Sequence, residues 1–122
     1  MLLDTNVLID VLKGHADAVR FVDGLSSKPS VSVITVAELV AGARNQREEV
    51  RLLAIFSDLH VLPVTAEVAR RAGALVRIFA AQGVELPDAL IAATAEQYEI
   101  PLATLNVKHF PMFKRLKPAY RA

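Results

Sequence analysis

The sequence predicts an α/β protein: a mainly parallel central sheet of about four or five strands with helices on both faces. Three observations lead there. Short apolar runs at Leu2-Leu3, Val31 to Ile34, Leu59 to Val64 and Leu102 to Thr104 have the composition of buried strands. The stretches between them hold apolar residues at helical spacing. Strands alternating with helical segments of this length join through right-handed βαβ crossovers into a parallel sheet covered on both sides. The 122 residues match one ordinary domain, and no repeat, linker or low-complexity segment divides residues 1–122.

The first strand, Met1-Leu2-Leu3, is broken at once by Asp4-Thr5-Asn6. An ionised Asp4 cannot join the core that Leu2 and Leu3 enter, so the strand must deliver it to an edge where water, a cation or backbone N–H groups receive it. Val7, Leu8, Val11 and Leu12 then follow at helical spacing up to Lys13-Gly14, and a second helix runs from Ala16 to Asp23. After a loop from Leu25 to Ser30, Val31, Val33 and Ile34 read as a brief strand. Thr35-x-x-Glu38 matches a capping box, opening a helix that continues to about Arg44.

Glu48 to Phe56 is amphipathic, with Val50, Leu53, Ile55 and Phe56 expected inside and Arg47 and Arg51 outside. The strand from Leu59 to Val64 leads to Thr65, which caps the longest helix; Val68, Ala72, Leu75, Val76 and Phe79 recur along it until Gly83. Pro87 stands at a helix start, and Ala89 to Tyr98 form a small-residue helix that ends before Pro101. Leu102-Ala103-Thr104 is the last strand.

In open parallel sheets, functional groups gather beyond the carboxyl ends of the strands. Asp4, Glu38 and Thr104 belong there, and Asp88 arrives on the first turn of a helix that can face the same edge. Each acid alone has a bland explanation: Asp4 as an N-cap, Glu38 as half of a capping box, Asp88 as an answer to the helix dipole. Three acids converging on one cleft do not, because like charges would raise one another's pKa. A divalent cation resolves that conflict, and hard cations take oxygen ligands while keeping waters available for chemistry on a phosphodiester.

Other properties narrow the classes further. There is no cysteine, which removes disulfides, thiolate zinc sites and cysteine nucleophiles, so any metal must sit on oxygen or imidazole. Apolar content is 53%, yet no run approaches the roughly 20 residues of a membrane span. No basic leader precedes the first apolar run, and a cytoplasmic location is expected. Net charge is +1, so the charge of the molecule as a whole does not advertise a polyanion as its partner. From Ile100 onward, however, there is no acid, while Lys108, Lys114, Arg115, Lys117 and Arg121 are cationic. That stretch reads either as a solvated tail or as a phosphate contact.

Taken together, Leu3-Asp4-Thr5-Asn6-Val7-Leu8-Ile9-Asp10, Thr35-x-x-Glu38-Leu39, Pro87-Asp88-Ala89-Leu90-Ile91-Ala92-Ala93-Thr94-Ala95 and Thr104-x-Asn106-x-x-His109-Phe110 closely resemble the PIN-domain family, nearest to its VapC-type toxins. The resemblance spans the whole chain, with the motifs in family order. It implies a three-layer PIN-like fold and a Mg2+- or Mn2+-dependent endoribonuclease acting as the toxin of a type II toxin-antitoxin pair. It further implies a homodimer, neutralised by a cognate VapB-type antitoxin. By matching motif, Asp4, Glu38 and Asp88 would be the catalytic, metal-site acids, Asn6 would orient Asp4, and Thr104 and Asn106 would help place water.

Many relatives carry a further acid at the Asn106 or His109 position, and this chain has none, which favours one metal over two. His109 either meets phosphate or simply packs before Phe110; Lys108, Lys114, Arg115 and Lys117 are candidates for substrate phosphates. The main alternative is a PIN fold that only binds, as a regulatory subunit. A receiver-like phosphoacceptor domain is a more distant one, since Asp4 is followed by Thr5 rather than a second acid and the Leu59 to Val64 strand ends without one.

Overall fold

Strand β1 (Leu2–Leu3) pairs in parallel with β2 (Ser30–Ser32) on one side and with β4 (Leu102–Ala103) on the other, and β3 (His60–Leu62) adds outside β2. These assignments come from a computed structural model, which describes residues 1–121. The sheet therefore has four strands, all parallel, in the order β3-β2-β1-β4. Leu2 stands opposite both Ser30 and Leu102. The chain leaves β1 towards β2 on one side and later returns from β3 to place β4 on the other. The strand order reverses between β1 and β4, and in open parallel sheets a crevice forms at such a reversal, beyond the strand ends.

Side chains alternate across a strand, so adjacent residues of β1 and β4 feed opposite faces. Leu2 and Leu102 enter a core with Val68, Ala72 and Leu75 of α5 (Ala66–Ile78) and Ala89, Ile91, Ala92, Ala93 and Ala95 of α6 (Leu86–Tyr98). Leu3 and Ala103 enter the other core, with Val7 and Leu8 of α1 (Thr5–Leu12), Val31 and Phe56. α2 (Ala16–Asp23), α3 (Val33–Ala41) and α4 (Gln46–Phe56) complete that second layer, through Phe21, Val36, Leu39, Leu52 and Ile55. The three-layer arrangement expected from the sequence is present.

Several local expectations change. Val33 and Ile34 belong to α3, not to a strand, because Ser32 takes the N-cap and its hydroxyl accepts from the Ile34 N–H at 3.0 Å. Thr35 is thus inside the helix, no capping box forms, and α3 ends at Ala41, with Gly42 as its cap. On α4, Val50 and Leu53 are 57% and 53% exposed, whereas Leu52, Ile55 and Phe56 face the core. The helix turns its apolar stripe about one position from the expected register, with Asn45 rather than Glu48 setting its start through a 3.0 Å bond to the Glu48 N–H. α5 stops at Ile78, and a short 3-10 turn, Ala80–Gln82, separates it from Gly83, whose φ of 72° only glycine adopts without strain.

Beyond β4 the chain makes a 3-10 turn at Val107–His109, buries Phe110 completely, and doubles back. There the Ala119 N–H donates to the Thr104 carbonyl at 3.0 Å and the Tyr120 hydroxyl donates to Asp10 Oδ2 at 2.8 Å, tying the end of the chain to β4 and α1. Burial and the neighbouring Asp10 push the Tyr120 hydroxyl pKa up, so this bond keeps its donor at any physiological pH. No helix of the described residues is long and apolar enough to cross a membrane.

Candidate active site

Asp4 leaves β1 and Thr104 leaves β4, so the two side chains flank the crevice created by the reversal of strand order. Asp4 is the N-cap of α1: its Oδ1 accepts from the Thr5 N–H at 2.8 Å. Its Oδ2 accepts from the Thr104 hydroxyl at 2.6 Å, and that hydroxyl in turn accepts from the Asn106 N–H at 3.0 Å. Asp4 is only 5% exposed and Thr104 is fully buried. Capping does occur here, and it is not the whole explanation, because an N-cap on a solvated helix has no need of a second, buried donor.

Burial above all raises the Asp4 pKa over its ordinary 3.8, with the Glu38 charge adding to the rise, against the lowering by the Thr104 and Thr5 hydrogen bonds and by His109. Asp88, in the first turn of α6, is also raised, first by burial and then by the Asp4 charge, with Glu38 and Glu85 adding to it and His109 opposing. The structure therefore brings Asp4, Glu38 and Asp88 within electrostatic reach of one another. His109 joins them: its Nδ1 lies 3.1 Å from Asp88 Oδ2, with a 56% exposed side chain. It does not pack into the core before Phe110, and Lys108 stands beside it in the same turn.

Glu38 reaches the cleft from α3. Its Oε1 accepts from the Thr5 hydroxyl at 2.8 Å, and Thr5 Oγ1 also lies 3.0 Å from the Thr35 hydroxyl. Sequence reasoning missed Thr5 and Thr35 as site residues. Their signals were adjacency to Asp4 and an i, i+3 spacing to Glu38, and both had been absorbed by capping patterns.

Other expectations are corrected or relocated. Asn6 does not orient Asp4, which is held by Thr5 and Thr104; the Asn6 Oδ1 is instead buried without a hydrogen-bond partner. Asn106 contributes its backbone N–H, through Thr104. Lys114 and Arg115 line a hollow with Ile100, Pro101, Leu102 and Phe113, beside the start of β4 rather than its acidic end. Lys117 is exposed. A separate groove of about 430 Å³ between α1, α3 and α4, lined by Ile9, Leu12, Leu39, Leu52 and Ile55, includes none of the three cleft acids.

The donor set suits a hard cation. Every candidate ligand is oxygen: the carboxylates of Asp4, Glu38 and Asp88, with the orphaned Asn6 carbonyl oxygen two residues from Asp4. Among the described residues, no three His, Asp or Glu side chains are gathered closely enough to hold a metal ion between them as they stand. Mg2+ usually binds through one or two carboxylates and retains several waters, so an open acidic cleft fits it better than a cage would.

A parallel sheet whose reversal point carries mutually repelling, hydroxyl-braced carboxylates defines the class: an α/β protein with an acidic crevice beyond its strand ends. Residues 1–116 match the PIN domain, and the chain belongs to that family. It is 44% identical to ribonuclease VapC10 of Mycobacterium tuberculosis, over 98% of this chain and 92% of that protein. It is 37% identical to ribonuclease VapC19 of the same organism, over 98% of each. Among solved structures, a toxin-antitoxin complex from Klebsiella pneumoniae superposes with a TM-score of 0.86 at 30% identity, covering 99% of this chain and 98% of that one.

Proposed function

We propose that this protein is an endoribonuclease, the toxin of a VapBC-type pair, that hydrolyses RNA phosphodiester bonds with Mg2+ or Mn2+. The observation that carries the reading is the set of three carboxylates gathered at the sheet's reversal point against their own repulsion. Near full-length similarity to proteins named as VapC ribonucleases supports RNA as the substrate. Asp4, Glu38 and Asp88 would hold the ion, which when bound acidifies water and neutralises charge developing on the phosphodiester.

The chain's own groups do the rest. Thr104 and the Thr5 N–H hold Asp4 in one orientation, with both carboxylate oxygens engaged and their remaining lone pairs left to face the cleft. His109 stands at the rim beside Asp88, with Lys108 next to it in the same turn, and there an imidazole N–H or an ammonium can meet a phosphate oxygen. Absence of an acid at Asn106 and His109 favours a one-metal site. The partner is a cognate VapB-type antitoxin, in keeping with the toxin-antitoxin complex among the structural neighbours. An Arg or Lys it inserts into the cleft would pair with the carboxylates. Val50 and Leu53 on α4 and Ile78 at the end of α5, all more than half exposed, are the apolar residues a homodimer would cover; Leu75, fully buried, is not available for it. Such a protein works in the cytoplasm, where its RNA is.

The test is cleavage of a defined RNA by the purified protein with Mg2+ or Mn2+, then with EDTA. Cleavage that stops in chelator and returns with the ion is the expected result. Cleavage that persists in chelator would overturn the metal-dependent reading, and no cleavage with either ion would leave a binding subunit.

A further inference from the structure

Thr5 meets two acids, Asp4 at the N-cap of α1 and Glu38 beyond the first turn of α3, and it does so with different groups. Its backbone N–H donates to Asp4, and its hydroxyl donates to Glu38. A hydroxyl owns one hydrogen. Since the carboxylate can only accept, the Thr5 hydrogen is committed to Glu38, and the 3.0 Å contact with Thr35 must then run the other way, with Thr35 donating to Thr5. The result is a one-directional chain, Thr35 to Thr5 to Glu38, that begins at a fully buried hydroxyl and ends on an exposed carboxylate. Thr35 and Glu38 are three residues apart on α3, so both lie on the face that α1 meets.

Glu38 needs such a brace more than Asp4 does. Asp4 is short, buried and held by two donors, while Glu38 is long, exposed and has the Thr5 hydroxyl as its one side-chain hydrogen bond among the described residues. We infer that Thr5 is a positioning residue whose hydroxyl, aimed by Thr35, holds the Glu38 carboxylate in place for the cation and couples α3 to the Asp4 end of α1. This rests on the reading of Glu38 as a cation-binding acid.

Thr5→Val keeps the shape and the backbone N–H to Asp4 and removes only the hydroxyl; Thr5→Ser restores it. The experiment titrates Mn2+ alone into wild-type protein, Thr5→Val, Thr5→Ser, Glu38→Gln and the Thr5→Val, Glu38→Gln double variant, reading free Mn2+ by electron paramagnetic resonance. Thermal unfolding confirms that each is folded. Loss of a group that orients a metal ligand typically weakens metal binding by about 10–100-fold, and Thr5→Val should fall near the lower end of that range, with Thr5→Ser close to wild type. In the Glu38→Gln background, adding Thr5→Val should weaken binding little further, because a residue that acts through Glu38 has nothing left to act on. With RNA, Thr5→Val should lower kcat and leave KM unchanged.

If Glu38→Gln weakens Mn2+ binding and Thr5→Val does not, the inference fails while the proposed site stands. Full additivity of the two changes also overturns it. If Glu38→Gln itself binds Mn2+ like wild type, the cation-site reading fails first and the inference with it. Should Thr5→Val not fold, Thr35→Val offers a milder version: it leaves the Thr5 to Glu38 bond with its donor no longer aimed, and an affinity equal to wild type counts against the chain of hydroxyls.

Discussion

The acidic cleft and the α5–α6 pair sit on the same sheet and are built on opposite terms. Between α5 and α6, Val68, Ala72, Leu75, Ala89, Ala92 and Ala93 are at most 1% exposed, and the small residues let the two helices and the sheet approach closely. The one ion pair there, Arg71 to Glu96 at 2.9 Å, lies on the surface, where such pairs add at most about 1 kcal/mol. At the cleft, the buried groups include Asp4, Thr35 and Thr104, and the charges repel. The difference shows where the fold's stability comes from: apolar burial on the α5–α6 face offsets a cleft whose carboxylates repel one another.

The contrast can be broken most sharply at Asp88. Asp88→Asn is nearly isosteric and should leave the fold intact while cutting RNA cleavage by more than the roughly 10–100-fold expected for an outer-sphere partner, since a charged ligand is removed. A cleavage assay at saturating Mn2+ checks it, and parental rates would remove Asp88 from the site. Leu75→Ala should do the reverse. A cavity in a fully buried position of α5 costs about 2–5 kcal/mol, measured by urea unfolding, while the fraction that remains folded should bind Mn2+ as before.

A smaller effect sharpens the comparison through pH. The folded-state pKa values of Asp4 and Asp88 are raised above the ordinary 3.8, so the native state holds more protons than the unfolded chain in the window above that value. Stability of the chelated protein should therefore decline as pH rises from 3.8 through the raised pKa values, and level off above them. Asp88→Asn should flatten that decline and lift the neutral-pH melting temperature in EDTA by a small amount, on the order of 1–3 °C, because Asp88 is only partly buried and solvent screens it. A lower melting temperature for this variant in EDTA would mean that its attraction to His109 outweighs the repulsion from Asp4 and Glu38. The smallest effect concerns the basic tail: Lys114→Ala with Arg115→Ala, in a cleavage-dead background, should reduce the salt slope of RNA affinity by about 0.7 log unit for each phosphate no longer neutralised. Their place beside the start of β4 makes an unchanged slope informative, since it would move the phosphate track to Lys108 and His109.

Much of this molecule was readable from residue order. Asp4 after Leu2-Leu3, Thr65 before the long helix and Pro87 before the small-residue helix each mark a boundary within a residue or two, because breaks in apolar runs and cap chemistry are local properties. α3 shows where local reading stops. Thr35-x-x-Glu38 is a good capping box in isolation, and Ser32 is a good N-cap without one; both offer a side-chain oxygen to an N–H. The choice was made by β2, which ends at Ser32 and leaves Val33 and Ile34 to the helix.

What the sequence by itself determined is the alternation of strands and helices, the acids that each strand or helix start would carry, and the family those motifs resemble. Tertiary structure decided which groups hold those acids. Thr104 is 100 residues from Asp4, Thr5 is 33 from Glu38, and His109 meets Asp88 only because the turn after β4 passes the first turn of α6. It also decided the buried face of α4, where Val50 and Leu53 have the right spacing and still face outward, because the neighbouring layer takes Leu52 and Ile55. The physical reason is the same in each case: a spacing restricts which residues of one segment share a face, while the partner of that face is set by the order in which distant strands pair.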